Sequence, residues 1–237
     1  MEIKIYPSRL EVAQRFSEFF SGIIRSQKEV HIALSGGSTP MVVFEELATN
    51  YRERIPWARV HLYWGDERCV PPVDRDSNYG MCAEHLLSHI DIPAENIHRI
   101  KGEDKPEPEA ERYATLLNDR LPKKYRLPRF DLLILGLGED GHTASVFPHE
   151  MGLWDSRNYC EVATHPLTGQ NRITLSGKII NNSANIAFLV TGAGKAEKVK
   201  EILQQKGDYK NFPASRVSPR SGKLFWFLDK EAARGII

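Results

Sequence analysis

The chain alternates between two kinds of segment, and that alternation limits its folds more than any other feature. Short apolar runs rich in β-branched and aromatic residues recur at Ile3–Tyr6, Val30–Leu34, Val60–Trp64, Leu132–Leu135, Cys160–Ala163, Ile186–Val190 and Leu224–Leu228. Longer amphipathic stretches lie at Ser8–Gln27, Thr39–Tyr51, Asn78–His89, Glu107–Lys123 and Lys195–Gln204. Several of the runs are apolar almost throughout, the pattern of strands covered on both faces. Such strands alternating with amphipathic helices predict an α/β fold, a mostly parallel sheet with helices on both faces. Ser8 and Thr39 are the expected N-caps of the first two helices, with Pro40 at a first helical position. Lys101–Pro108, KGEDKPEP, reads as an exposed loop. No internal repeat divides the chain, so a single domain over residues 1–237 is expected.

Composition excludes several function classes. A net charge of +1 gives no reason to expect nucleic acid or an acidic membrane surface as partner. No apolar run approaches the roughly 18 residues that span a bilayer. The opening MEIKIYPSRL has the features of neither a signal nor a transit peptide. Cys69, Cys82 and Cys160 are odd in number and lack C-x-x-C spacing, so they read as thiols of a reducing cytoplasm.

In open parallel sheets, ligands bind outside the carboxyl ends of the strands, so chemistry is sought in the loops that follow them. After HIAL comes Ser35-Gly36-Gly37-Ser38-Thr39-Pro40. Two glycines there let backbone N–H groups approach a ligand, and the hydroxyls of Ser38 and Thr39 stand at a helix start that favours anions. The loop suits a phosphate, though a plain strand–turn–helix junction explains it as well. After VHLYW come Asp66, Glu67 and Arg68. Charges at the exit of a buried strand are costly unless paired or at a site. Arg68 is suited to a phosphate, and Asp66 to sugar hydroxyls or to orienting an imidazole; a salt bridge pinning the loop is the structural alternative.

The segment DLLILGLGEDGHTAS contains Gly136-Leu137-Gly138-Glu139-Asp140-Gly141, a literal G-x-G-x-x-G. Glu139 and Asp140 would repel a pyrophosphate, so a dinucleotide is not expected. Asp140-Gly141-His142 instead suggests a general base, an imidazole oriented by a carboxylate. Two cations complete the set: Arg172 in QNRITLSG, and Lys195 in TGAGKAEK, placed at a helix start where an anionic ligand would explain it. His85 and His89 are four apart in EHLLSH, but no third ligand accompanies them, and no metal site is expected.

Taken in order, SGGSTP, WGDER…PP…SNY, GLGEDGHTASVFP, RITLS and TGAGKA resemble the 6-phosphogluconolactonase family, over about residues 30 to 228. The resemblance implies a three-layer αβα fold shared with glucosamine-6-phosphate deaminases and ribose-5-phosphate isomerases. It implies hydrolysis of 6-phospho-D-glucono-1,5-lactone, without cofactor, metal or covalent intermediate, by a monomer or homodimer. His142 would be the general base, with Asp140 or Asp66 orienting it. Gly36, Gly37, Ser38, Thr39, Arg172 and Lys195 would hold the phosphate with help from Arg68, and Asn78, from the SNY block, joins the substrate-binding residues. The alternatives are a deaminase or isomerase of the same fold and a non-catalytic sugar-phosphate sensor. Deaminases of this fold carry a carboxylate five residues after the histidine, where this chain has Phe147.

Overall fold

A computed structural model describes all residues, 1–237. Seven parallel strands form the central sheet in the order β1-β12-β11-β8-β2-β3-β5. They are β1 (Glu2–Tyr6), β2 (Val30–Leu34), β3 (Val60–Trp64), β5 (Ile97–His98), β8 (Leu132–Leu135), β11 (Asn185–Val190) and β12 (Lys223–Asp229). Helices flank the sheet to give the three-layer αβα architecture: α1 (Arg9–Arg25), α2 (Ser38–Asn50), α3 (Asn78–His85), α4 (Pro106–Arg120), α5 (Gly177–Ile180), α6 (Ala196–Gln204) and α7 (Lys230–Ala233). β2 and β8 are buried at every position, in keeping with sequences that are apolar but for His31.

Helix α1 illustrates the construction. Ser8 caps it, accepting from the Glu11 N–H at 3.3 Å. Val12, Phe16, Phe20 and Ile24, spaced four apart, are buried along one face. Phe16 meets Phe227 of β12 edge-on at 5.1 Å.

Several differences from the sequence reading have physical causes. Cys160–Ala163 is a strand (β9, Cys160–Thr164), but it leaves the main sheet. It joins β10 (Asn171–Leu175) and β4 (Asp66–Arg68) in an antiparallel sheet of order β4-β10-β9. β4 and β10 are hidden in sequence because Asp66, Glu67, Arg68, Arg172 and Thr174 break the apolar pattern although they are buried or half-buried. A short hairpin, β6 (Lys123–Lys124) and β7 (Leu127–Pro128), also escapes the apolar pattern.

Next, Thr39 is not the cap of α2. Gly37, at φ +108°, is the N-cap, and Thr39 lies inside the helix with Pro40 third in the first turn rather than first. Finally, α3 stops at His85, where Leu86 leaves helical geometry, and a separate 3₁₀ turn carries Leu87–His89. His85 and His89 therefore do not share one helix face, and His85 faces Glu45 at 3.1 Å. The loop predicted over Lys101–Pro108 is shorter, because α4 already begins at Pro106.

Strand order locates the site. From β2 the chain moves one way through β3 to β5, and from β8 the other way through β11 and β12. The loops after β2 and β8 therefore part from each other, opening a crevice at their carboxyl ends.

Beside this crevice, Glu67 on β4 organises α3. Its carboxylate accepts from the N–H groups of Arg68 (2.8 Å), Asn78 (2.7 Å) and Tyr79 (2.8 Å) and from the Ser77 hydroxyl (3.1 Å). Burial pushes the Glu67 carboxyl upward, against the pull of those backbone donors. The carboxylate satisfies the helix start and compensates its dipole. Glu67→Ala leaves several buried donors unpaired at about 1–3 kcal/mol each. Urea unfolding is expected to show at least about 2 kcal/mol of lost stability, with Glu67→Gln recovering part of it.

Candidate active site

The loop after β8 is shaped by its glycines. The Gly138 N–H donates to the His142 carbonyl at 2.9 Å, and the Gly141 N–H to the Gly138 carbonyl at 3.1 Å. Gly141 takes φ +86°, and a side chain there would press on Phe212 at 2.6 Å. A side chain at Gly138 would collide with the His142 ring. The turn thus folds the imidazole back over Gly138, where only hydrogen leaves room.

His142 Nδ1 and Asp140 Oδ1 are 2.6 Å apart, and the same oxygen accepts the His142 N–H at 3.1 Å. With the carboxylate ionised, Nδ1 is the donor, and the lone pair of the neutral ring lies on Nε2. Burial raises the Asp140 carboxyl, but the hydrogen bond and charge of His142 more than reverse this and bring it down to about 2. Asp66, the other candidate to orient His142, is buried and accepts instead from the Ser145 hydroxyl at 2.7 Å. The orienting contact is therefore Asp140's.

Phe147 packs beside His142. It is fully buried, with its ring centroid 4.8 Å from that of His142. Ala144, between them in the chain, adopts φ +48°. A non-glycine residue in this region is a local strain of the kind held at functional sites.

A cavity of about 180 Å³ occupies the crevice. Gly36, Gly37 and Asn78 line one side, Gly138, His142 and Ala144 the other, and Asp66, Arg68, Arg172 and Lys195 also face it. The Gly36 and Gly37 N–H groups donate to no acceptor in the chain. Asn78 donates to the Asp66 carbonyl at 2.9 Å, and its Oδ1 packs against Gly36 with no donor.

Ser38 and Thr39 are not among the residues that line this cavity. The buried Thr39 hydroxyl lies 2.7 Å from that of Thr191, which also accepts from Arg9 at 3.1 Å. Ser35, Gly136, Gly138 and Ala144 line the cavity without having been singled out in the sequence; only Gly136 and Gly138 carried a signal, the glycine-rich string itself.

Arg68 and Arg172 are direct cross-strand partners in the β4–β10 ladder. Like charges placed opposite each other destabilise a sheet. The Nε of each is buried without a partner, although Arg68 also donates through Nη1 to the Asp76 carbonyl. Burial, and then Arg68, lowers the Arg172 pKa. Lys195 reaches the cavity from the turn before α6, with Glu139 at 3.9 Å. Three cations and free N–H groups at a helix start form a site for an anion, with an oriented imidazole beside it. No three His, Cys, Asp or Glu side chains converge as metal ligands.

Known proteins match this chain over its whole length. A family model described as glucosamine-6-phosphate isomerases/6-phosphogluconolactonase matches residues 9–226. A 6-phosphogluconolactonase of Haemophilus influenzae is 42% identical over 230 residues, 97% of either chain. A crystal structure described as devB protein superposes with a TM-score of 0.95 at 41% identity, covering 100% of this chain and 99% of that one. The 6-phosphogluconolactonase of Trypanosoma brucei superposes with a TM-score of 0.87 at 30% identity, covering 100% and 98%.

Gly138→Ala tests the geometry directly. The added methyl forces the imidazole out and breaks its bond to Asp140, and a displacement of about 1 Å costs on the order of 100-fold in rate. A loss of kcat of that size is expected in steady-state kinetics, with the far-ultraviolet circular dichroism spectrum unchanged.

Proposed function

The chain belongs to the glucosamine-6-phosphate isomerase/6-phosphogluconolactonase family, and from that premise we propose that it hydrolyses 6-phospho-D-glucono-1,5-lactone to 6-phospho-D-gluconate in the oxidative pentose phosphate pathway. The observation that carries this reading is the 2.6 Å Asp140–His142 contact on the wall of a cavity that also holds Arg68, Arg172 and Lys195.

The phosphate dianion is the handle. Gly36 and Gly37 offer it backbone N–H groups, and Arg172 and Lys195 offer charge, with Arg68 assisting. Anchored there, the lactone places its carbonyl before His142, which replaces a chance encounter by a fixed one. Nε2 takes a proton from water as the oxygen attacks the carbonyl carbon, and Asp140 stabilises the imidazolium that forms. When the tetrahedral intermediate collapses, the bond to the ring oxygen breaks and the imidazolium returns its proton to that oxygen. Cations near the carbonyl offset the negative charge on the intermediate.

Phe147 separates this chemistry from deamination. The proton carrier a deaminase needs at that position is replaced by a phenyl ring packed on the imidazole. The Asp140–His142 pair also argues for turnover rather than sensing, since a binding protein needs the cradle but no base. The three free thiols support a reducing, cytoplasmic setting.

The test is the rate of acid release from the lactone beside ammonia release from glucosamine 6-phosphate. Lactone hydrolysis alone is expected; ammonia release without lactone hydrolysis overturns the reading. His142→Ala is expected to lower kcat by about 10²–10⁴-fold while affinity for 6-phosphogluconate is kept. Activity within about threefold of wild type would remove His142 as the base. Arg172→Ala is expected to raise KM roughly tenfold with a smaller effect on kcat, the mark of lost ground-state anchoring.

A further inference from the structure

On the other side of the two arginines, a second cavity of about 410 Å³ is lined by Arg68, Asp76, His165, Thr168, Gln170 and Arg172. Only Arg68 and Arg172 are common to both cavities. The new residues come mainly from the tight connection between β9 and β10. There the His165 N–H donates to the Gln170 carbonyl at 3.0 Å, and the Gly169 N–H to the His165 carbonyl at 2.9 Å. Gln170 also donates to the Asp76 carboxylate at 3.4 Å, tying the connection to the loop before α3.

His165 is held in a defined state. Its Nδ1 accepts from the N–H groups of Leu167 (3.3 Å) and Thr168 (3.2 Å), so the neutral ring carries its hydrogen on Nε2. Its ring meets Phe147 edge-on at 5.3 Å, and the same phenyl carries His142 and the Arg172 guanidinium at 5.6 Å. Burial, and then the charge of Arg172, lower its pKa, which favours the neutral ring and its Nε2 hydrogen. One phenyl ring thus spaces two imidazoles, one in each cavity.

The chemistry of ring opening supplies an occupant. The lactone carries one anionic group, its phosphate, whereas the hydrolysed acid carries two. Two cavities divided by a shared arginine pair fit a molecule with an anion at each end. The inner cavity, with Lys195 and free N–H groups, suits a dianion. The outer one offers guanidinium N–H groups suited to a carboxylate, a neutral donor, and Asp76, which disfavours high negative charge.

We propose that the outer cavity receives the carboxylate created by hydrolysis, with His165 donating to it through Nε2–H and the arginine pair bridging it to the phosphate. The proposal rests on the lactonase reading above. Drawing the new carboxylate toward His165 moves it away from His142 and the ring oxygen, which opposes reclosure.

The experiment compares two probes by titration calorimetry. 6-Phosphogluconate carries both anions; D-glucitol 6-phosphate has the same chain and phosphate but no carboxylate. His165→Ala is expected to weaken 6-phosphogluconate about tenfold and glucitol 6-phosphate less than twofold, the second probe also reporting that the phosphate site is intact. His165→Gln, whose amide N–H can stand where Nε2–H stood, is expected to recover most of the loss. An equal loss for both probes would assign His165 to the phosphate or to the fold, and no loss for either would leave it without a ligand; each overturns the proposal. Lactone turnover by the wild-type protein is scored separately and speaks only to the underlying function.

Discussion

The parallel pairing of β2 with β8 is the joint on which the molecule depends. Ile32 and Ala33 sit opposite Leu132 and Leu133, all fully buried, and the two halves of the chain run outward from this pair. Because the crossovers leave in opposite directions, the loops after these strands cannot cover each other. One brings free backbone donors at a helix start and the other brings the Asp140–His142 pair. Neither loop is a site alone; the strand pairing makes them one.

The small antiparallel sheet adds what the central sheet cannot. The loops that follow parallel strands gather at their carboxyl ends, and the small sheet supplies the two arginines beside them. The β4–β10 ladder pairs Arg68 with Arg172, and Glu67, between Asp66 and Arg68, fastens that ladder to α3. Alternation along β4 turns Asp66 and Arg68 to one side and Glu67 to the other. The three consecutive charges thus divide between the cavity and a helix start.

Much of this was legible in the chain. Largely apolar runs identified six strands of the main sheet, because a strand covered on both faces has little choice of residue. The Asp140–His142 contact was legible because the imidazole and the carboxylate that orients it are two residues apart. Contacts with distant partners were not legible. The Thr39 hydroxyl looked free for an anion, but Thr191, 152 residues later, engages it. Asp66 looked able to orient an imidazole until Ser145, 79 residues on, occupied its carboxylate. β4 and β10 stayed hidden because their polar faces serve the site and so dilute the apolar pattern. His165 carried no motif, and its place beside the arginines comes from the fold alone.

The facing arginines also bear on the lifetime of the protein. Held together without an anion between them, they are a standing repulsion in the folded state and none in the unfolded one. Any phosphorylated sugar that sits between them binds the folded chain alone and raises its stability by mass action. Such a ligand would oppose unfolding through two side chains opposite each other on adjacent strands.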